Sequence, residues 1–287
     1  MINNEEQMMN INYKEQTEKW RGFKEIKVTK IVEEDDLVKS FYLENEDKSR
    51  LPSFIAGQYI AVKIKNEDGS FTIPRQYTLS LNSNGEFYRI SVKREDEGLI
   101  SKNLCDDIKV NDTLYITAPI GNFVLKDSEK PLVLIGGGIG ITPMLTMAYE
   151  AVQTNRKIYL IYSTPNSKYH SFKEEIKELE KNNNNLEVTT IYTRPLDCDK
   201  IGETFEISGR ISKEYMENNL PRNGEFYFCG PVQFMRNLYH NLIDMNINKC
   251  GRTFKRTNRY ISDDSELERH RWKAQNQIHQ HRASRII

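Results

Sequence analysis

From Pro131 to Tyr149 the chain runs 19 residues without a charge. Such a window is either a membrane-spanning helix or protein interior. Its middle decides, because Gly136, Gly137, Gly138, Gly140 and Pro143 all fall there. The mean hydropathy of the chain is −0.68. Glycine and proline at that density break a spanning helix. The window therefore reads as a buried strand (131–135), a tight loop and a helix from about 142 to 153. No membrane association is expected.

The rhythm differs on the two sides of this window. Before it, Ile60, Val62 and Ile64 alternate with Ala61 and Lys63, and Tyr88, Ile90 and Val92 repeat the pattern. Turn signals separate the runs: NEDGS at 66–70, NSNG at 82–85 and APIGN at 118–122. Short strands with few helices between them predict an antiparallel barrel or sandwich. After the window, strands at 157–163, 186–192 and 224–229 alternate with helical patterns. One of these places Phe172, Ile176 and Leu179 on a face; another carries Met235, Leu238, Leu242 and Met245. Alternating strands and helices predict a parallel sheet. Residues 195–220 read as irregular, and the boundary falls in KDSEK, 126–130.

The text changes again at Cys250. Seven arginines and two lysines follow it, against ten and 22 before it, and three of the five histidines lie beyond it. Apolar periodicity is lost, so a disordered or weakly helical tail is expected. The layout is a linker-like segment at 1–21, a β domain at 22–128, an α/β domain at 129–249 and an atypical tail at 250–287.

Lysine plus arginine (41) equals aspartate plus glutamate (41), so no net field draws the chain to nucleic acid. Cys105, Cys198, Cys229 and Cys250 show no C-x-x-C spacing and no companion histidines, which predicts no metal site. Four unpatterned cysteines and an N-terminus without an apolar signal core point to a cytoplasmic setting.

A parallel sheet binds ligands beyond the carboxyl ends of its strands. Gly136 to Gly140 lies at such an end, where bare backbone N–H groups could approach a pyrophosphate and Pro143 suits a helix's first turn. A Gly-x-Gly-x-x-Gly fingerprint would end in glycine where Pro143 stands; a glycine-rich packing turn would read the same way. FCGPVQFM (228–235) repeats the arrangement at the end of another buried strand, and the two loops together could bracket one ligand. In RQYTLS (75–80), Arg75 and Tyr77 share a side of an extended strand with Thr78 opposite. That stretch alone is equally a surface strand with a half-buried tyrosine.

The order Arg75-Gln76-Tyr77-Thr78, Gly98-Leu99-Ile100-Ser101, GGGIGITPM and Cys229-Gly230-Pro231 resembles the ferredoxin–NADP reductase superfamily. WRGFKEIKV, GQYIAVKI, YRISVKRE and FCGPVQFM narrow the resemblance to the reductase half of bacterial flavohemoglobins, from about Tyr13 to Asn248. The resemblance implies an FAD-binding β-barrel followed by an NAD(P)H-binding α/β domain. It assigns Arg75 to the FAD pyrophosphate, Tyr77 to the isoalloxazine face and Thr78, usually serine, to flavin N5. Tyr59 goes to the ribityl–adenine side and Gly98 and Ser101 to the pyrophosphate, with Gln76, Val92 and Lys93 also at the cofactor. Gly137, Gly138, Ile139, Gly140, Ile141, Thr142 and Pro143 are assigned to NAD(P)H, and Cys229, Gly230 and Pro231 to its nicotinamide end. Tyr77, Thr78 and Cys229 would stand at the reacting centre, where NADH or NADPH reduces FAD and electrons leave singly.

The sequence departs from the family at three places. The globin half does not precede the reductase text, so the implied acceptor is a separate heme or iron–sulfur protein. Cys105 and Asp106 replace Leu-His-Asp-like text. The closing His-Tyr-Glu-x-Phe-Gly-Pro strand has no match, leaving Phe254 or Tyr260 as steric substitutes for its aromatic. Two other readings are the split reductase half of a nitric oxide dioxygenase and a catalytically impaired nucleotide-binding sensor. Ser163, Thr164, Ser167 and Lys168 without an arginine in YSTPNSKYH tilt the donor toward NADH.

Overall fold

Alternating apolar residues in the first half build six antiparallel strands. A computed structural model describes residues 19–247 and the backbone of one later strand. The first six strands are β1 (Phe23–Glu33), β2 (Val38–Glu44), β3 (Tyr59–Lys63), β4 (Arg75–Thr78), β5 (Tyr88–Lys93) and β6 (Thr113–Thr117). They pair in the order β4-β3-β6-β1-β2-β5. Leu79 bridges antiparallel to Ile90, and the Ser80 amide donates to the Arg89 carbonyl at 2.8 Å. The two edges thus meet and the sheet closes into a barrel, which removes its unpaired edges. Val28, Phe41, Ile60, Ile90 and Ile116 fill the interior. Helix α1 (Leu99–Asp106) packs Ile100 and Leu104 into the same core. Trp20, at the end of the expected linker, packs on this barrel and donates its indole N–H to the Ile116 carbonyl at 3.2 Å.

The second half is a parallel sheet of β7 (Leu132–Gly137), β8 (Ile158–Thr164), β9 (Leu186–Tyr192), β10 (Ile207–Ser208), β11 (Glu225–Gly230) and β12 (Arg252–Arg256). Their order is β10-β9-β8-β7-β11-β12. Side-chain alternation sends Leu132, Leu134 and Leu160 to one face, under α2 (Ile141–Ala151) and α3 (Lys173–Lys181). Val133, Ile135 and Ile161 face α4 (Lys213–Asn219) and α5 (Val232–Asp244) on the other. Both faces are covered, which is why these strands read as continuous apolar runs. The chain winds outward from β7 through β8 and β9, then returns to place β11 on β7's other side. Such a reversal opens a crevice at the carboxyl ends of the two central strands.

The charge-free window is β7, the glycine turn and α2. Among the described residues no helix is long and apolar enough to cross a membrane. Two elements differ from the sequence expectation. Helix α4 lies in the stretch read as irregular; Ser212 caps it by accepting from the Tyr215 amide at 3.0 Å, and Met216 is its one buried residue. A single buried residue gives no periodic signal. The second difference is β12, which falls in the expected tail and pairs parallel with β11, Phe254 standing opposite Phe228 in register. Its sequence, Arg-Thr-Phe-Lys-Arg, combines strand formers with the charges that suit an edge strand. Residues 1–18, 248–251 and 257–287, including Tyr260, lie outside the described residues.

Candidate functional site

β7 ends at Gly137 and its neighbour β11 at Gly230, with Cys229 opposite Gly136 in register. The two loops noticed in the sequence are therefore adjacent. They touch so closely that a Cβ on Gly140 would lie 2.3 Å from the Cys229 carbonyl oxygen. Gly138 has φ +52°, and the space where its Cβ would stand is open. It leaves bare backbone facing a ligand site. Residues Gly138–Gly140 form a 3₁₀ turn that runs into α2, and Pro143 lies in that helix's first turn. No acidic residue stands in the first turn to oppose an anion at its N–H groups.

A cavity of about 510 Å³ opens at this point. Gly137, Gly138, Ile139, Pro231 and Phe234 line it on the sheet side. Asp35, Leu37, Val38 and Lys93 of the barrel form another wall. Ser163 and Thr164, at the end of β8, line it together with Arg194 and Arg210, whose side chains are exposed. The arginine missing from 162–170 is thus supplied from beyond β9 and β10. Bare glycine backbone, an unopposed helix N-terminus and two arginines fit an elongated, multiply anionic ligand such as a dinucleotide.

Beneath this cavity His170 is buried and its Nδ1 lies 2.8 Å from the Tyr192 hydroxyl. Burial, helped by Lys173 and Lys177, pushes its pKa down to about 3. It is neutral at physiological pH and serves as packing between Tyr162 and Tyr192.

The barrel carries the second cluster. Arg75 and Gln76 are exposed on β4, while Tyr77 and Thr78 are half-buried. Tyr59 pairs with Thr78 across β3 and β4. Burial first, and the nearby Cys105 thiol second, push the Tyr77 hydroxyl pKa upward. Gly98 caps α1, where a Cβ would meet the Ser101 hydroxyl at 2.3 Å; that hydroxyl donates to the Gly98 carbonyl at 3.0 Å. The first turn of α1 also lacks acidic residues. Leu99 and Ile120, beside Gly98 and Tyr59, are exposed at 69% and 45%. An exposed arginine on β4 and exposed apolar side chains beside Gly98 and Tyr59 fit an FAD-sized group with a phosphate middle and an apolar ring.

Of the sequence-predicted residues, Lys93, Gly137, Gly138, Ile139 and Pro231 line the cavity. Val92 precedes Lys93 on β5 but is buried in the barrel core. Ile141, Thr142 and Cys229 are also buried, so they shape the turn from behind. Cys105 is buried against the Val92 carbonyl, its thiol pushed up to about 11 by burial. Asp106 pairs with Arg94 at 2.9 Å, bracing the loop that leads to Gly98.

Two family models match the chain: an oxidoreductase FAD-binding domain over residues 25–125 and an oxidoreductase NAD-binding domain over residues 134–239. The flavohemoproteins of Bacillus cereus and Bacillus subtilis are 38% and 36% identical over 237 and 233 residues. Those alignments cover 79% and 80% of this chain but 59% and 57% of the relatives, so the chain spans about three fifths of their length. The flavohem-like FAD/NAD-binding domain of a Vibrio cholerae nitric oxide dioxygenase superposes with a TM-score of 0.74 at 30% identity. That match covers 84% of this chain and 99% of that one. The cytochrome b5 reductase domain of Ulva prolifera nitrate reductase shares the fold, with a TM-score of 0.70 at 20% identity over 82% of this chain and 97% of its own.

Proposed function

The chain belongs to the FAD- and NAD-binding oxidoreductases of the ferredoxin–NADP reductase type, and from that premise we propose that it passes electrons from NAD(P)H through FAD to a heme or iron–sulfur protein. The observation that carries this reading is the pair of loops ending β7 and β11, which face a cavity whose opposite wall includes Lys93 of the barrel. One nucleotide would lie on the parallel sheet and reach the other on the barrel.

When bound, FAD accepts two electrons from a reduced nicotinamide and releases them one at a time. The chain's own residues bind and orient. Arg75, Gly98 and Ser101 would hold the FAD pyrophosphate; Tyr59, Gln76 and Tyr77 would shape its remaining contacts, with Val92 backing them from the barrel core. Thr78 would offer a hydroxyl to the flavin ring. Gly137 to Pro143 would cradle the NAD(P)H pyrophosphate, with Lys93 adding positive charge from across the cavity. Pro231 would border the nicotinamide, with Cys229 and Gly230 buried behind it.

The donor is read differently once Arg194 and Arg210 join Ser163 and Thr164. Cations beside hydroxyls suit a 2′-phosphate, so NADPH is expected to serve as well as NADH. Similarity to the Vibrio cholerae domain favours one narrower reading, the reductase part of a nitric oxide dioxygenase. Steady-state turnover with each nucleotide, using cytochrome c or ferricyanide as acceptor, tests the reading. Turnover with neither nucleotide would refute it.

A further inference from the structure

A buried polar seam joins the barrel to the parallel-sheet half, built from residues outside the nucleotide sites. Arg89, on β5, is 3% exposed. Its Nη1 and Nη2 donate to the two oxygens of Glu175 at 2.7 and 2.8 Å, a fork-on-fork pairing. The same guanidinium donates from Nε to the Ser80 hydroxyl at 3.1 Å and from Nη2 to the Ser80 carbonyl. Its face lies 5.1 Å from the Phe172 ring centre. Glu175, in the first turn of α3, also accepts from the Tyr149 hydroxyl of α2 at 2.7 Å. One turn earlier on α2, the Thr146 hydroxyl donates to the Leu79 carbonyl.

Leu79 and Ser80 directly follow Thr78, at the end of the strand that would carry the flavin ring. Both are therefore tied to α2: Leu79 through Thr146, and Ser80 through Arg89 and Glu175. Helix α2 begins where the glycine turn ends. A buried ion pair is a weak stabiliser, because desolvation cancels most of its attraction. What a forked, fully bonded pair does supply is direction, whereas apolar side chains in the same space would let the two surfaces slide.

We propose that Arg89 and Glu175 are positioning residues that fix the strand Arg75–Thr78 at one offset from the glycine turn, so that the two bound nucleotides meet in reacting register. The proposal rests on the two-nucleotide reading above. A displacement of about 1 Å between reacting groups is enough to slow such a step by around 100-fold.

The test replaces the pair with apolar residues, Arg89→Leu with Glu175→Leu. The double variant is expected to bind FAD within about threefold of wild type. Its anaerobic flavin reduction by NADPH should slow at least tenfold, its reduction by dithionite should be unchanged, and the isotope effect from 4-deuterated NADPH should rise. In the cofactor-free protein, spin labels at exposed positions 86 and 177, in a Cys198→Ser, Cys250→Ser background, should report a broadened distance distribution. Glu225→Gln is the control: it breaks the buried Arg156–Glu225 pair at the amino ends of the strands and should leave the isotope effect alone. Should the double variant fail to fold, Arg89→Lys carries the test, since an ammonium keeps the charge but cannot reproduce the two-pronged pairing with both Glu175 oxygens; it too should slow reduction. A wild-type reduction rate with an unbroadened distance distribution in the variants overturns the proposal. A wild-type protein that neither nucleotide reduces overturns the functional reading instead, while the label distances still decide the positioning claim.

Discussion

The hydroxyl of Thr146, on the helix that follows the glycine turn, donates to the carbonyl oxygen of Leu79, the residue after Thr78, at 2.5 Å. Both residues are buried, so neither group has water as a substitute partner. Thr146→Val keeps the shape and removes the donor. It should cost about 1–3 kcal/mol of unfolding free energy, the penalty of an unsatisfied buried carbonyl. Thr146→Ser should recover most of it. Urea unfolding of the three proteins checks this.

Gly138 and Gly140 should respond differently to the same substitution. A methyl on Gly140 would strike the Cys229 carbonyl, forcing the two loops apart at about 1–3 kcal/mol. Gly138→Ala meets no atom but holds φ +52°, which costs about 1–2 kcal/mol and points a methyl into the cavity. The expected result is a raised KM for NAD(P)H with FAD affinity unchanged, measured by steady-state kinetics and flavin fluorescence.

Arg194 should discriminate between the nicotinamide nucleotides. Losing a charge-assisted contact to phosphate is worth roughly 1.5–3 kcal/mol. Arg194→Gln is thus expected to lower kcat/KM for NADPH roughly 10-fold or more and to leave NADH within about twofold. Equal losses with both nucleotides would place Arg194 elsewhere than at a 2′-phosphate.

His170 sets a pH dependence of stability. Its pKa falls from 6.5 to about 3 in the folded protein, mainly through burial. Between those values the unfolded chain binds the extra proton and the folded chain does not. The neutral buried ring is therefore fully compatible with folding above about pH 6.5, and stability is lost as pH falls toward 3, by up to roughly 5 kcal/mol. His170→Phe gives up the bond to Tyr192, so it should be the less stable protein at pH 7.5. That deficit should shrink or reverse at pH 5. Denaturant unfolding at the two pH values measures it.

The two loops of this site are legible in the sequence. The glycine turn and Cys-Gly-Pro announce themselves because each ends an apolar run and precedes a helical one. Their adjacency follows from the parallel winding. Arg194 and Arg210 escaped notice because they come from loops beyond β9 and β10, and only the sheet order gathers them beside Ser163. Arg89 and Glu175 lie 86 residues apart, and an arginine inside YRISVKRE looks like the solvent face of a strand. Helix α4 and strand β12 were missed for a related reason: one buries a single residue and the other is an edge, so neither leaves a periodic apolar trace.

If the chain binds FAD on the barrel and takes electrons from NAD(P)H held on the parallel sheet, its flavin must be reducible by nicotinamide without any partner protein. The most direct test is to reconstitute the purified protein with FAD, remove the unbound flavin and oxygen, and follow the flavin absorbance while NADPH or NADH is added. The expected result is one retained FAD per chain, bleached stoichiometrically by reduced nicotinamide and restored by a one-electron acceptor. A protein that retains FAD yet keeps its oxidised spectrum with both nucleotides, or that never retains FAD, would contradict it.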